Sequence, residues 1–174
     1  MSVDATVDAS VDATAGAGPG EPIAIVPELP DSATAAALLA SYRRELAERF
    51  PGGFTPPPGW AAAASQLVPP NGAFLVVRSA GEPLGCGAVR VLEPGVAELK
   101  HMWVSPLLRG RGVGRRLLAA LEAESRALGC ATVRLDTSPF LPEAIALYRS
   151  LGYTEIPRYN DNPLDAIWME RRLG

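Results

Sequence analysis

Arg109-Gly110-Arg111-Gly112-Val113-Gly114-Arg115-Arg116 sets four arginines and three glycines where a helix is expected to begin. Cations are badly placed there, since each costs about 0.3–1 kcal/mol against the positive end of a helix dipole. The free N–H groups of a helix start instead attract anions, phosphates above all, and glycine lets a ligand come close to the backbone. From Lys100 to Arg116 the chain carries five positive charges and no acid, whereas the whole chain is −3, so the remainder sums to −8. A basic loop concentrated in an acidic chain reads as a site for a polyanionic ligand. A merely solvated arginine-rich loop would leave the glycine spacing unexplained.

The spacing excludes two common phosphate sites. A P-loop needs Gly-Lys followed by Ser or Thr, and no Gly-Lys occurs. A dinucleotide fingerprint G-x-G-x-x-G meets Arg115 in its third place when counted from Gly110, and Leu117 when counted from Gly112. What remains is Arg-x-x-Gly-x-Gly, from Arg109, Gly112 and Gly114, after the strand-like Ala97-Glu98-Leu99-Lys100-His101-Met102-Trp103-Val104. This strand, loop and helix resemble the cofactor motif of the GNAT N-acetyltransferase superfamily, whose loop amides hold the pyrophosphate of acetyl coenzyme A.

A second segment carries the same resemblance. Pro142-Glu143-Ala144-Ile145-Ala146-Leu147-Tyr148-Arg149-Ser150-Leu151-Gly152-Tyr153 is similar to the family's helix with a tyrosine, ending in Gly-aromatic. The resemblance spans about residues 22–174. Three positions depart from it: His101 stands where arginine is more frequent, Trp103 where tyrosine is usual, and Leu141 where an asparagine often contacts the cofactor.

The rest of the chain reads as one α/β domain. Ile23 to Val26 is a strand closed by Pro27. Asp31 or Ser32 caps a helix to about Arg49, with Ala36, Leu39, Tyr42 and Leu46 on one face. A proline-rich loop follows, then a short helix from about Gly59 to Leu67. Strands are expected at residues 73–78, 83–92 and 96–104, with turns at Asn71-Gly72, Gly81-Glu82 and Pro94-Gly95. Gly85 and Gly87 suggest a bulge or close packing. Beyond the glycine loop come a helix with Leu117, Leu118, Leu121 and Leu128 on one face, a buried strand at residues 131–136, the Tyr148 helix, and two closing strands. That order gives a mixed sheet with helices on both faces, mostly antiparallel if the resemblance holds.

Composition narrows the function further. A pI near 5.2 argues against general nucleic-acid binding. One histidine and two separated cysteines, Cys86 and Cys130, form no metal pattern, and a reducing cytoplasm fits them. No apolar run approaches the roughly 20 residues that span a membrane. The N-terminus lacks a signal peptide's basic start and apolar centre. Residues 1–21, with their Val-Asp-Ala-Ser/Thr repeats, are expected to be a disordered tail.

The resemblance implies acetyl transfer from acetyl coenzyme A to a primary amine, without a metal, the acceptor being a small or amino-acid-like compound. A protein N-terminus or lysine is another acceptor it allows, and a homodimer is compatible with it. A module that senses acyl coenzyme A without turnover, or a partner-binding module on the same fold, is the reading of a different class. The cofactor would lie on Met102, Trp103, Val104, Arg109, Gly110, Arg111, Gly112, Val113, Gly114 and Arg115. Tyr148 would stand beside the departing thiolate. Glu98 could take the ammonium proton through water, or be a strand residue paired with a nearby cation; both stay open. Strand parity sets His101 opposite Glu98, and a bulge here would free main-chain amides. Acceptor contacts are expected from Phe50, Tyr159 and Asp161, within a set that includes Tyr42, Phe54, Trp60 and Asn160.

Overall fold

A strand apolar on both faces has to lie between two layers of helix, and the strand at Gly72–Ser79 does so. In the computed structural model, which describes residues 21–174, its alternate side chains enter two separate cores. Ala73, Leu75 and Val77 pack with Leu117, Leu118 and Leu121 on one face. Phe74 and Val76 pack with Ala35 and Leu38 on the other. Residues 1–20, and with them nearly all of the expected tail, lie outside the described residues.

The elements in chain order are β1 (Ile23–Pro27), α1 (Ala33–Arg49), β2 (Gly72–Ser79), β3 (Glu82–Glu93), β4 (Val96–Val104), α2 (Val113–Ala127), β5 (Thr132–Thr137), α3 (Pro142–Ser150), β6 (Thr154–Glu155) and β7 (Ile167–Arg172). They build a seven-stranded sheet of order β1-β2-β3-β4-β5-β7-β6. Every neighbouring pair is antiparallel except β4 with β5. The mixed, mostly antiparallel sheet with helices on both faces is therefore present.

The parallel pair is short. Val96, Ala97 and Glu98 are matched by Thr132, Val133 and Arg134, and pairing then stops. β4 continues to Val104 and β5 to Thr137, so the two strands part in mid-sheet. β4 also bulges. Its register with β3 shifts between Cys86 and Ala88, leaving His101 and Met102 together opposite Gly87. His101 takes φ 55°, a left-handed backbone uncommon outside glycine. A Cβ on Gly87 would lie 2.6 Å from Leu121 Cδ1 on α2, so any larger residue there would have to displace that leucine.

Four local expectations are corrected. The helix expected at 59–67 is a single 3-10 turn, Ala64–Gln66. Of that segment only Leu67 is fully buried, and so short a helix without an apolar face is not stable. On α1 the inward stripe starts at Ala35, not at the exposed Ala36, because Ser32 caps the helix by accepting from Ala35 N. The β2–β3 turn is Ala80-Gly81, both with positive φ, and Glu82 already opens β3. Finally, the bulge overturns the parity of His101, as its surroundings show below. Among the described residues, no helix is long and apolar enough to cross a membrane.

Candidate active site

Where β4 and β5 part, a cleft of about 660 Å³ runs through the sheet. The carboxyl ends of diverging parallel strands are where open α/β sheets leave room for ligands. The glycine loop forms one end. Gly112 is the N-cap of α2, with φ 71° and no side-chain cap, and Gly110 has φ 74°. A Cβ built on either would meet no atom within 4 Å, so the space before this helix start is open. That is the cradle an anionic diphosphate requires, and the residues present fit acetyl coenzyme A there.

The loop's arginines each have a protein partner. Arg109 holds Glu45 at 2.6 Å, Arg111 and Arg116 donate to the carbonyls of Glu21 and Ile23, and Arg115 to Ser150 Oγ. Arg111 does not line the cleft; Arg109, Gly110, Gly112, Val113, Gly114 and Arg115 do. The Val113 side chain is buried in the core and Gly114 packs against Leu147, so these two offer a ligand mainly their backbone.

On β4, Met102 joins the core beneath α2, while Trp103 packs with α1 and donates from Nε1 to Glu45 Oε2 at 2.7 Å. From Leu99 to Val104 this strand has no β5 partner. Tyr148, on α3, is buried at the cleft with its hydroxyl 3.8 Å from Met102 Sδ. Burial, and then the charge of Asp136, raise its pKa above the ordinary tyrosine range.

Glu98 is buried and fully engaged. Its Oε2 accepts from Arg90 Nε at 2.7 Å and is ion-paired with Arg90 Nη2 at 2.7 Å, and its Oε1 accepts from Tyr159 Oη at 3.1 Å and Asn160 Nδ2 at 3.3 Å. Burial alone would raise its pKa, but Lys100 and Arg90 outweigh it and hold the carboxylate below its usual range. Tyr159 stands behind Glu98 and does not line the cleft, whereas Phe50 and the exposed Asp161 do. His101 turns to the α1 side with Glu98, its ring 4.6 Å from Trp60. Burial, reinforced by Lys100 and Arg90, lowers its pKa to about 4, leaving a neutral imidazole.

The residue missed in the sequence is Asp136, read there only as the end of a buried strand. It lies on the same face of β5 as Arg134, the partner of Glu98, two residues further toward the opening. Its Oδ2 accepts from Asn160 Nδ2 at 2.5 Å, while Oδ1 is not engaged by any described residue. Asn160 thus ties one carboxylate of each parting strand to the β6–β7 loop, and Trp168 Nε1 fixes it at 2.8 Å. The available signal was position: an acid at the carboxyl end of the strand that follows a glycine loop and its helix.

Comparison with known proteins agrees with this geometry. The model of the acetyltransferase (GNAT) family matches residues 39–153. An IAA acetyltransferase of Azospirillum brasilense is 40% identical over 111 residues, covering 62% of this chain and 72% of the relative. A structure from Klebsiella pneumoniae subsp. pneumoniae MGH 78578, assigned to the acyl-CoA N-acyltransferases, superposes with a TM-score of 0.70 at 34% identity, covering 87% of this chain and 98% of that one. A GNAT acetyltransferase of Elizabethkingia anophelis with acetyl-CoA bound shares the fold, with a TM-score of 0.60 at 15% identity over 87% of this chain and 98% of that one. The parted strands, the open glycine loop and these matches together place the chain in the acetyltransferase (GNAT) family, as an acyltransferase acting on amino groups.

Proposed function

We propose that the protein acetylates the primary amine of a small, amino-acid-like acceptor. The observation that carries this is a through-sheet cleft with the glycine loop and Tyr148 toward one side and the unengaged Oδ1 of Asp136 at the parting strands. Bound acetyl coenzyme A supplies an activated acetyl thioester, whose transfer to the amine releases a thiol. The loop from Arg109 to Arg115 and the unpaired backbone of Met102, Trp103 and Val104 would hold it. Buried, unpaired Cys86 and Cys130 support a reducing, cytoplasmic setting.

The acceptor must lose a proton before it can attack, and an alkylammonium ordinarily ionises near pH ~10. The cleft favours that loss. Burial, with Lys100 and Arg90, lowers the pKa of His101 against the opposing charge of Glu98, and an ammonium group bound beside it would meet the same burial and cations. Asp136 is placed to take the proton on Oδ1. Glu98 is better placed as a fixed anion that positions Tyr159 and Asn160, since accepting a proton would cost it a hydrogen bond. Tyr148 donates toward the departing sulfur.

Purified protein assayed for thiol release from acetyl coenzyme A, against small amines, amino acids and peptides, tests the proposal. Turnover confined to peptide or protein acceptors would refute the small acceptor. Two variants test the parts. Gly112→Val sets a branched side chain on a left-handed backbone and into the open space before α2. Acetyl coenzyme A affinity should fall at least tenfold, ~1.4 kcal/mol, and calorimetry of the folded variant checks it. Gly112→Asn, which tolerates this backbone better, separates obstruction from strain. Glu98→Gln should lower activity without changing the shape of the pH–rate profile. Loss of a titrating limb in that variant would make Glu98 the base after all.

A further inference from the structure

We infer that the acceptor is a free α-amino acid with an aromatic or large apolar side chain, its carboxylate on Lys100, its amino group on Asp136 and its side chain against Phe54 and Trp60. This deepens, and rests on, the reading of the cleft as the site of amine acetylation.

Lys100 is the first observation. Its side chain is only 16% exposed, and its one ion-pair partner among the described residues is Glu98 Oε2 at 3.7 Å, outside hydrogen-bond distance. That oxygen is already taken by both Arg90 contacts. The side chain is thus mostly buried while the ammonium lines the cleft without a hydrogen-bonded acceptor among the described residues. A carboxylate entering the cleft would take up its unused donors.

The second observation is register. Glu98 and Arg134 are the last matched residues of the parallel pair. Lys100 and Asp136 each lie two residues further on, so they face the same side from opposite banks of the opening. They form no ion pair with each other; Glu98 and Asn160 stand between them, through contacts of 3.7, 3.3 and 2.5 Å. Matched pairing ends only two residues before these positions. The ligand's two charges must therefore lie close together, as the amino and carboxylate groups of an α-amino acid do. The side-chain amine of a free lysine, four methylenes from its α-carbon, does not meet that condition together with its own carboxylate.

The third observation is the wall beside them. Trp60 has its ring 6.0 Å from Tyr42 and 5.7 Å from Phe54, which lies 5.4 Å from Phe50. Phe50, Phe54 and Trp60 belong to neither core and are half-buried on the cleft. An apolar side chain would cover them and keep water from the amine.

The test is thiol release from acetyl coenzyme A with L-phenylalanine, L-alanine, L-phenylalaninamide, phenethylamine and short peptides as acceptors. L-Phenylalanine should exceed phenethylamine and the amide in kcat/KM by on the order of 10–100-fold, the scale of a charge-assisted hydrogen bond. It should also exceed L-alanine. Lys100→Met should shrink the first ratio toward one, chiefly through KM, and Lys100→Arg should restore part of it. Phenethylamine or peptides used as well as L-phenylalanine would overturn the inference while leaving amine acetylation intact. An unchanged ratio in a folded Lys100→Met protein would do the same. Tight acetyl coenzyme A binding with turnover of none of these acceptors would instead sink the underlying reading, and this inference with it.

Discussion

Tyr148→Phe is expected to slow single-turnover acetyl transfer by on the order of 10²–10³-fold, the loss found when one aimed donor to a developing anion is removed. The argument starts from the environment of the phenol. Burial first, and the charge of Asp136 second, keep Tyr148 protonated beyond the ordinary tyrosine range. A thiol ionises near ~8.5, so passing the proton fully from such a phenol to a thiolate would be uphill. On the proposed reading Tyr148 would therefore act by hydrogen bonding to the sulfur as negative charge grows there, the thiol being completed later from solvent. The hydroxyl is free to do so: its partner in the protein is the weak acceptor Met102 Sδ at 3.8 Å. For the same reason the Phe variant should fold normally and bind acetyl coenzyme A within a few-fold of the original protein. Rapid-quench single turnovers are the right measurement, since slow product release would mask the effect in kcat. A folded variant at full single-turnover rate would remove Tyr148 from the chemistry. An alkaline limb of the pH profile that vanished with the hydroxyl would make it a true proton donor.

The parts legible in the sequence were those written in short-range chemistry. Gly110 and Gly112 announced close access to the backbone before α2; Pro94-Gly95 announced a hairpin; leucines at helical spacing announced the buried face of α2. The site's acceptor side depended on long-range facts. Strand parity is reliable only while a strand stays regular, and the extra residue at His101 and Met102 breaks it. That placed His101 beside Glu98 rather than opposite it. Whether Glu98 is available depends on Arg90, Tyr159 and Asn160, which come from β3 and a distant loop. Asp136 and Lys100 gain meaning only from the parting of β4 and β5 after three matched pairs. The segment at 59–67 failed for a related reason: its alanines favour helix locally, but only Ala62 packs against a core while Ala61, Ala63 and Ala64 are exposed.

Asp136→Asn should lower the single-turnover rate on a primary alkylamine at neutral pH by about 10²–10⁴-fold, the contribution usual for a positioned base. The substitution is close to isosteric, and the amide oxygen can still accept from Asn160 Nδ2, so the loop latch and the fold should persist. What is lost is the one cleft carboxylate oxygen at the parting strands that no described residue engages. Without it, reaction depends on amine that arrives already neutral. The logarithm of the rate on the variant should then rise about one unit per pH unit until the amine's own pKa, near ~10. The original protein, deprotonating the bound ammonium itself, should show a shallower rise. A less basic amine should correspondingly lose less activity in the variant than a strongly basic one. Asp136→Glu, which keeps the carboxylate at a changed reach, should recover part of the rate. A merely structural aspartate would give a different pattern: a uniform loss across amines of all basicities, no change in slope, and no preference for Glu over Asn. That pattern in a folded variant would return the base role to Glu98 or to water, because Glu98 would then be the remaining carboxylate on the parting strands.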